Sequence, residues 1–468
     1  MTRELIENYG GRSARAGRYA FVGNLANNMA IRALPMRREG YSIDLYPSPG
    51  DRYVMSHPGW ELAETTLIEG ESTIDELEQR GSNLPEVPNL YITPVDGGEQ
   101  LDRLIKAANF TPSRKWPPRS VPKFIRQTDL LLWPEFFGYL PMLKALQKYD
   151  CLFAAQSPYL AYLANRPYLV SQTGGELWFE ASRNDGLGNL QRRAYANASA
   201  FLATNPWAYS NARRFGFRHV IYAPLMIDME AYSPGPSPAR EAWRKEVGGE
   251  FFALVTARLD RQWKASHIGI DGFLQFAQRH PQARLVLVGW GEDSARDIEI
   301  LERAGLQGRL VRLPVSGKRK LTEYLRAADC LIDQFAIGYY GATALEAMST
   351  GLPVIMNLLT EQYDALCPTG APPVLNASTP QEVADQLTRL AASEEQRRHF
   401  SKASRRWIEQ NHSVEVWGET YGALLNAVAR GANLDFSGAP LAAPLVADER
   451  AYHADMLASA PAFPNYSI

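Results

Sequence analysis

The chain has 468 residues, 46% apolar and 21% charged, a globular composition too long for one ordinary core. Its 49 lysines and arginines balance 51 aspartates and glutamates, for a formal charge of −2, which excludes a bulk nucleic-acid binder. No run reaches the roughly 20 apolar residues of a spanning helix and no hydrophobic leader opens the chain, so a cytoplasmic protein is expected, with peripheral membrane contact still open. Cys151, Cys330 and Cys367 are odd in number and far apart, and the first two sit in apolar runs. They read as packed thiols of a reducing compartment. No Cys-x-x-Cys or close histidine pair marks a structural metal site.

In chain order, residues 19–25 predict a strand, 26–39 a helix and 41–46 a second strand. Residues 48–127 are rich in Pro, Gly and charge and read as an irregular insertion with short helices. Alternation then resumes, with strands at 129–133, 151–155, 168–172, 200–204 and 220–223 and a helix at 141–149. Residues 233–240 (Ser-Pro-Gly-Pro-Ser-Pro-Ala-Arg) are the clearest linker. Beyond it, strands are expected at 251–257, 283–288, 309–313, 330–333 and 353–356. Helices alternate with them near 266–280, 294–304, 318–328 and 342–350. Helices at 379–392, 394–411 and 414–428 follow, and then an Ala/Pro-rich tail at 431–468. The pattern is that of an α/β protein with two Rossmann-like parallel-sheet domains, 1–232 and 241–412, facing across a cleft. Parallel sheets bind ligands at the carboxyl ends of their strands.

Four stretches could carry chemistry. Gly23-Asn24 lies between strand and helix and could face a phosphate, or be an ordinary βα turn capped by Asn. Arg258 and Lys264 flank the loop after the first strand of the second domain and could converge on a diphosphate. Gly289 marks a neighbouring strand end that would shape the same pocket. Thr173-Gly174-Gly175-Glu176 follows a strand of the first domain and could meet a sugar or acceptor. The fourth stretch runs from Asp333 through Gly338 and Gly341 into a helix starting at Ala342 and Thr343. Its open N-terminus suits an anion. Glu346, the one carboxylate in that helix, needs a hydrogen-bonding partner if buried. Basic groups at Arg12/Arg15/Arg18, Arg37/Arg38 and Lys318/Arg319/Lys320 read as solvated surface charge, although the first and last could face a membrane or an anionic acceptor.

Together these features resemble a retaining GT-B glycosyltransferase, most similar to glycosyltransferase family 4. The resemblance runs from about residue 19 to 425 and is strongest over 251–357. It implies that Gly23-Asn24 is the N-terminal glycine loop and that Arg258 and Lys264 are the diphosphate pair. Glu346 then matches the second glutamate of a Glu-x7-Glu motif, which holds the donor ribose. Gly341, Ala342 and Thr343 would lie near the diphosphate, and a helix at 413–430 would cross back to the first domain. Two departures stand out. Gly338 occupies the position of the motif's first glutamate, and the 172–176 stretch lacks the histidine often found there.

The expected activity is transfer of a sugar from a nucleotide-diphosphate donor to a hydroxyl acceptor, with retention. The acceptor could be a glycan, a lipid-linked glycan or a small molecule. Arg258 and Lys264 would neutralise the departing diphosphate, and no Asp-x-Asp motif appears, so neither metal nor another cofactor is expected. The alternative is a non-catalytic scaffold that binds nucleotide, glycan or a protein partner. A nucleotide-sugar epimerase fits less well, because its acid–base set has no counterpart here.

Overall fold

The computed structural model describes residues 2–47, 54–67, 84–88, 90, 141–173, 181, 186–214, 217, 219–367, 369–432 and 434. The expected strand at 129–133, most of the 48–127 stretch and nearly all of the tail lie outside these residues. Two compact units emerge, each built on its own six-stranded sheet.

The first unit holds β1 (Arg18–Val22), β2 (Ser42–Tyr46), β3 (Cys151–Ala154), β4 (Tyr168–Ser171), β5 (Ala200–Ala203) and β6 (Val220–Tyr222). All pairings are parallel, in the order β2-β1-β3-β4-β5-β6. β3, β4 and β5 are buried at every position. That is why these strands read as continuous apolar runs: helices cover both faces of a parallel sheet. Cys151 is buried among them, and burial pushes its thiol far above the ordinary range.

The second unit holds β7 (Phe251–Val255), β8 (Ala283–Val288), β9 (Leu310–Leu313), β10 (Cys330–Ile332), β11 (Val354–Met356) and β12 (Leu375–Asn376). Its order is β9-β8-β7-β10-β11-β12, again all parallel. Phe251, Val255, Phe273, Leu287, Ile332 and Leu387 belong to the core that fills one side of this sheet. Strand order reverses between β7 and β10, which pair directly through Cys330–Ala253 and Leu331–Leu254. In open α/β sheets the loops after two such strands form the ligand crevice.

Two boundaries differ from the expected ones. Residues 59–67 group with the second unit, and so do 225–232. The reason is main-chain pairing. Thr66–Leu67 is antiparallel to Val315–Ser316, Gly317 N–H donates to Thr65 (2.8 Å) and Arg319 N–H to Ala63 (3.1 Å). The expected linker at 233–240 ends in a helix, Ala239–Val247, that buries Trp243. At the other end, the Val414–Ala429 helix begins in the second unit and from Gly418 onward belongs to the first. There Tyr421 Oη donates to Ala223 and Pro224 carbonyls (2.9 and 3.0 Å), and Asn426 Nδ2 to Tyr9 (2.7 Å). Among the described residues no helix is long and apolar enough to cross a membrane.

Candidate functional site

The loop after β7 is built around Asp260, which is 4% exposed. Its Oδ1 accepts from the Gln262 and Trp263 main chains (2.8 Å each), and its Oδ2 from Arg258 Nη2 (2.6 Å). A second buried acid, Asp297, holds Arg261 Nη2 at 3.0 Å and Ser266 Oγ at 2.8 Å. These two aspartates, absent from the sequence-based expectations, fix the loop that presents Arg258 and Lys264. The neighbouring turn after β8 lies against it: Leu259 N–H donates to Trp290 (2.8 Å). Gly291, at φ +108, lets the turn come so close that a Cβ there would sit 2.7 Å from Arg258 Cγ. Gly289 has no such constraint, since its added Cβ would make only ordinary contacts. It shapes the turn without being demanded by it.

Lys264 reaches across to the loop after β10. Its Nζ donates to Gln334 Oε1, and Gln334 Nε2 donates in turn to the Tyr339 carbonyl. The Phe335 N–H to Lys264 carbonyl bond (2.9 Å) ties the two loops through main chain as well. Burial lowers the Lys264 pKa; nearby Asp333 counters this, Arg258 adds to it and Asp260 opposes it. Asp333 is 5% exposed and its Oδ2 has no hydrogen-bond partner. Desolvation raises its pKa to about 6, against the pull of Lys264 and with a further push from Glu346.

The turn at 338–341 then enters the Ala342–Ser349 helix. Gly341 is its N-cap, no side chain caps it, and a Cβ at Gly341 would meet nothing within 4 Å. The first N–H groups of this helix, at Ala342 and Thr343, have no partner within the helix itself. Gly338 is a different case. Its φ is +69, and an added Cβ would lie 2.7 Å from Leu359 Cγ. Glycine at the motif's first position is thus required twice, by backbone conformation and by packing. Tyr340, two residues on, donates from its hydroxyl to His412 Nε2 (3.0 Å), since His412 Nδ1–H must donate to the Leu225 carbonyl (2.6 Å).

Glu346 lies one turn into the helix, 1% exposed. The partner its burial demands is Lys318, whose Nζ donates to both carboxylate oxygens at 2.7 and 2.9 Å. This corrects the reading of Lys318/Arg319/Lys320 as solvated charge. Lys318 turns inward, while Lys320 pairs with Glu323 (2.6 Å). The signal was present in the sequence: three cations open a helix, where the dipole favours acids.

In the first unit, Asn24 Oδ1 accepts from Met29 and Ala30 N–H groups (3.2 and 2.9 Å). Two of the open N–H groups expected to face a phosphate are therefore already taken, and the capping alternative describes the Gly23-Asn24 turn. Its carboxamide also donates to the Ser56 carbonyl (2.6 Å). Thr173 is half-buried just after β4; Gly174, Gly175 and Glu176 lie outside the described residues. Among the described residues no three His, Cys, Asp or Glu side chains gather as a metal would need.

The loops after β7 and β10 lie within the stretch that resembles known proteins in sequence. The family model described as glycosyl transferases group 1 matches residues 240–407. The fold is GT-B: sucrose-phosphate synthase from Thermosynechococcus elongatus superposes with a TM-score of 0.58 at 15% identity, over 89% of this chain and all of that one. Anabaena HepE in complex with UDP and glucose gives 0.57 at 15% identity, over 87% and 99%. Two curated relatives align with part of the chain. A D-inositol 3-phosphate glycosyltransferase of Corynebacterium urealyticum is 25% identical over 179 residues, 36% of this chain and 42% of its own. The mannosylfructose-phosphate synthase of Agrobacterium fabrum is 28% identical over 150 residues, 30% and 33% respectively. The chain thus spans less than half the length of these relatives.

Proposed function

We propose that the protein transfers a sugar from a nucleotide-diphosphate donor to a hydroxyl acceptor, with retention and without a metal. The observation that carries this reading is the link from Lys264 through Gln334 to the Tyr339 carbonyl. It holds one cation beside the uncapped N-terminus of the Ala342–Ser349 helix. Together with Arg258, that arrangement concentrates positive potential where a diphosphate leaves. The bond from the sugar's anomeric carbon to the diphosphate breaks, and the electron pair departs with the phosphate. The acceptor oxygen bonds to that carbon and yields its proton to the leaving phosphate. Arg258, Lys264 and the helix N–H groups stabilise the charge that develops, which is the larger part of such catalysis. Glu346 would take the donor ribose. Gly341, Ala342, Thr343 and Asp333 would line the diphosphate and sugar side.

Release of nucleoside diphosphate from UDP-, GDP-, ADP- and dTDP-sugars tests the proposal, with UDP-glucose and phosphorylated small-molecule acceptors first in line. Those choices follow the UDP and glucose of the Anabaena protein and the names of the curated relatives. Lys264→Ala should lower kcat/KM by about 100- to 1000-fold; near-normal turnover would remove the diphosphate role. The binding-scaffold reading draws on Gly338, whose site rejects a side chain. Nucleotide affinity with no release of product over a long time course would favour it instead.

A further inference from the structure

The two cations presented by the loop after β7 are not held alike. Arg258 brings its own counter-charge: its Nη2 donates at 2.6 Å to Asp260 Oδ2, on a side chain only 6% exposed. Lys264 instead donates to the neutral carboxamide of Gln334. The charged groups that bear on its ammonium are Asp333, Arg258 and Asp260, all acting through space.

Gln334 lies just past β10 and is 1% exposed. The residue after β11 fixes its backbone: Asn357 N–H donates to the Gln334 carbonyl (3.0 Å), and Asn357 Nδ2 to the Phe335 carbonyl (2.9 Å). Its side chain meets an ammonium, which only donates, and the Tyr339 carbonyl, which only accepts. The amide therefore turns Oε1 to Lys264 and Nε2 to the 338–341 turn. No other side chain of this length meets both demands. Glutamate would keep an acceptor for the lysine but set a second acceptor against the Tyr339 carbonyl. It would also close a buried ion pair, whose partners part at high cost. A lysine so paired would have little charge left for a ligand. An amide fixes the ammonium without that cancellation.

We propose that Gln334 is a positioning residue that holds Lys264 through a neutral acceptor, so that the lysine's full charge meets an incoming diphosphate. The neutrality of the amide is what the site uses, beyond its two hydrogen bonds. The proposal rests on Lys264 taking the diphosphate.

The test is calorimetric binding of inorganic pyrophosphate, and of UDP, GDP and ADP, to the full chain. Gln334→Met should weaken pyrophosphate binding about 3- to 10-fold, the range for one neutral hydrogen bond. Gln334→Glu should weaken it about 10- to 100-fold and flatten its dependence on ionic strength, although it keeps an acceptor for the lysine. On a Lys264→Met background, Gln334→Met should cost less than about 2-fold, because its effect passes through the lysine. A purely structural tie predicts otherwise: the glutamate variant would be milder than the methionine one, and Gln334→Met would cost the same on both backgrounds. Either result overturns the proposal. If one single variant does not fold, the other decides, the methionine variant by its non-additivity with Lys264→Met and the glutamate variant by its salt dependence. An additive cost or an unchanged salt dependence there overturns the proposal. Failure of the underlying reading looks different: Lys264→Met itself would bind pyrophosphate like the wild type.

Discussion

At the scale of single residues, the informative position is Gly338. Restoring the motif glutamate there places an L residue at φ +69 and drives its Cβ into Leu359. A left-handed backbone costs about 1–2 kcal/mol and overpacking about 1–3 kcal/mol. Gly338→Glu should therefore lower the urea midpoint by the equivalent of roughly 2–5 kcal/mol and should not raise turnover. A gain in activity without loss of stability would mean that the loop rearranges freely. Asp333 is the complementary case. Its pKa of about 6 lies above the unfolded value, so between about pH 4 and 6 the native state holds a proton that the unfolded chain has lost. The stability this provides is complete below about pH 4 and disappears as pH rises through 6. Its size is roughly 3 kcal/mol.

At the scale of elements, the turn before the Ala342–Ser349 helix is anchored from outside the motif. Tyr340 stacks on Tyr363 at 4.6 Å and hydrogen-bonds His412, which is fully buried and neutral. Burial lowers the His412 pKa to about 4, against the Leu225 carbonyl that favours its proton. Here the native pKa lies below the unfolded one, so stability is complete above about pH 6.5 and is lost as pH falls through 4, again by roughly 3 kcal/mol. The two groups have opposite slopes over the same window. Urea unfolding between pH 4.5 and 6 should show stability rising more steeply with pH in Asp333→Asn than in the wild type and less steeply in His412→Phe, with His57, which burial also lowers to about 4, adding the same upward slope to both. His412→Phe should also cost about 1–3 kcal/mol at pH 7 for each polar partner left unsatisfied. Parallel slopes in the two variants would contradict the assignment.

Much of this was legible at the same scale. Five of the six strands of the second unit's sheet and most of its helices were expected within a residue or two, because apolar runs closed by glycine signal parallel strands strongly; β12 and the helices Ala239–Val247 and Thr360–Leu366 were not. Arg258, Lys264, Asp333 and Glu346 were visible because they sit at strand ends or in a buried helix. The Lys318 partner of Glu346 was not, since 28 residues separate them and only the strand order brings them together. Asp260 and Asp297 were hidden for a related reason: an acid that ties a loop to itself has the same local sequence as one that meets water.

At the scale of the whole molecule, chain order and spatial order part company. The 59–67 segment is written into the first half of the sequence but is built into the second unit, where its Thr66–Leu67 strand caps Val315–Ser316. A fragment cut at the linker, 241–412, would keep all six strands of the second sheet yet leave Lys318 without the charge of Glu61. It would also lose Leu225, the acceptor of His412. Such a fragment should melt lower than one that restores 59–67 and 225–240 in trans or by fusion, with differential scanning calorimetry as the measure. Equal melting temperatures would show that these pieces are ornaments. If they are not, the second unit cannot be inherited or transplanted as a contiguous cassette. Any recombination between relatives that exchanges only the stretch after the linker would separate Lys318 from the charge of Glu61 and His412 from the Leu225 carbonyl, so the 59–67 and 225–240 segments must travel with it.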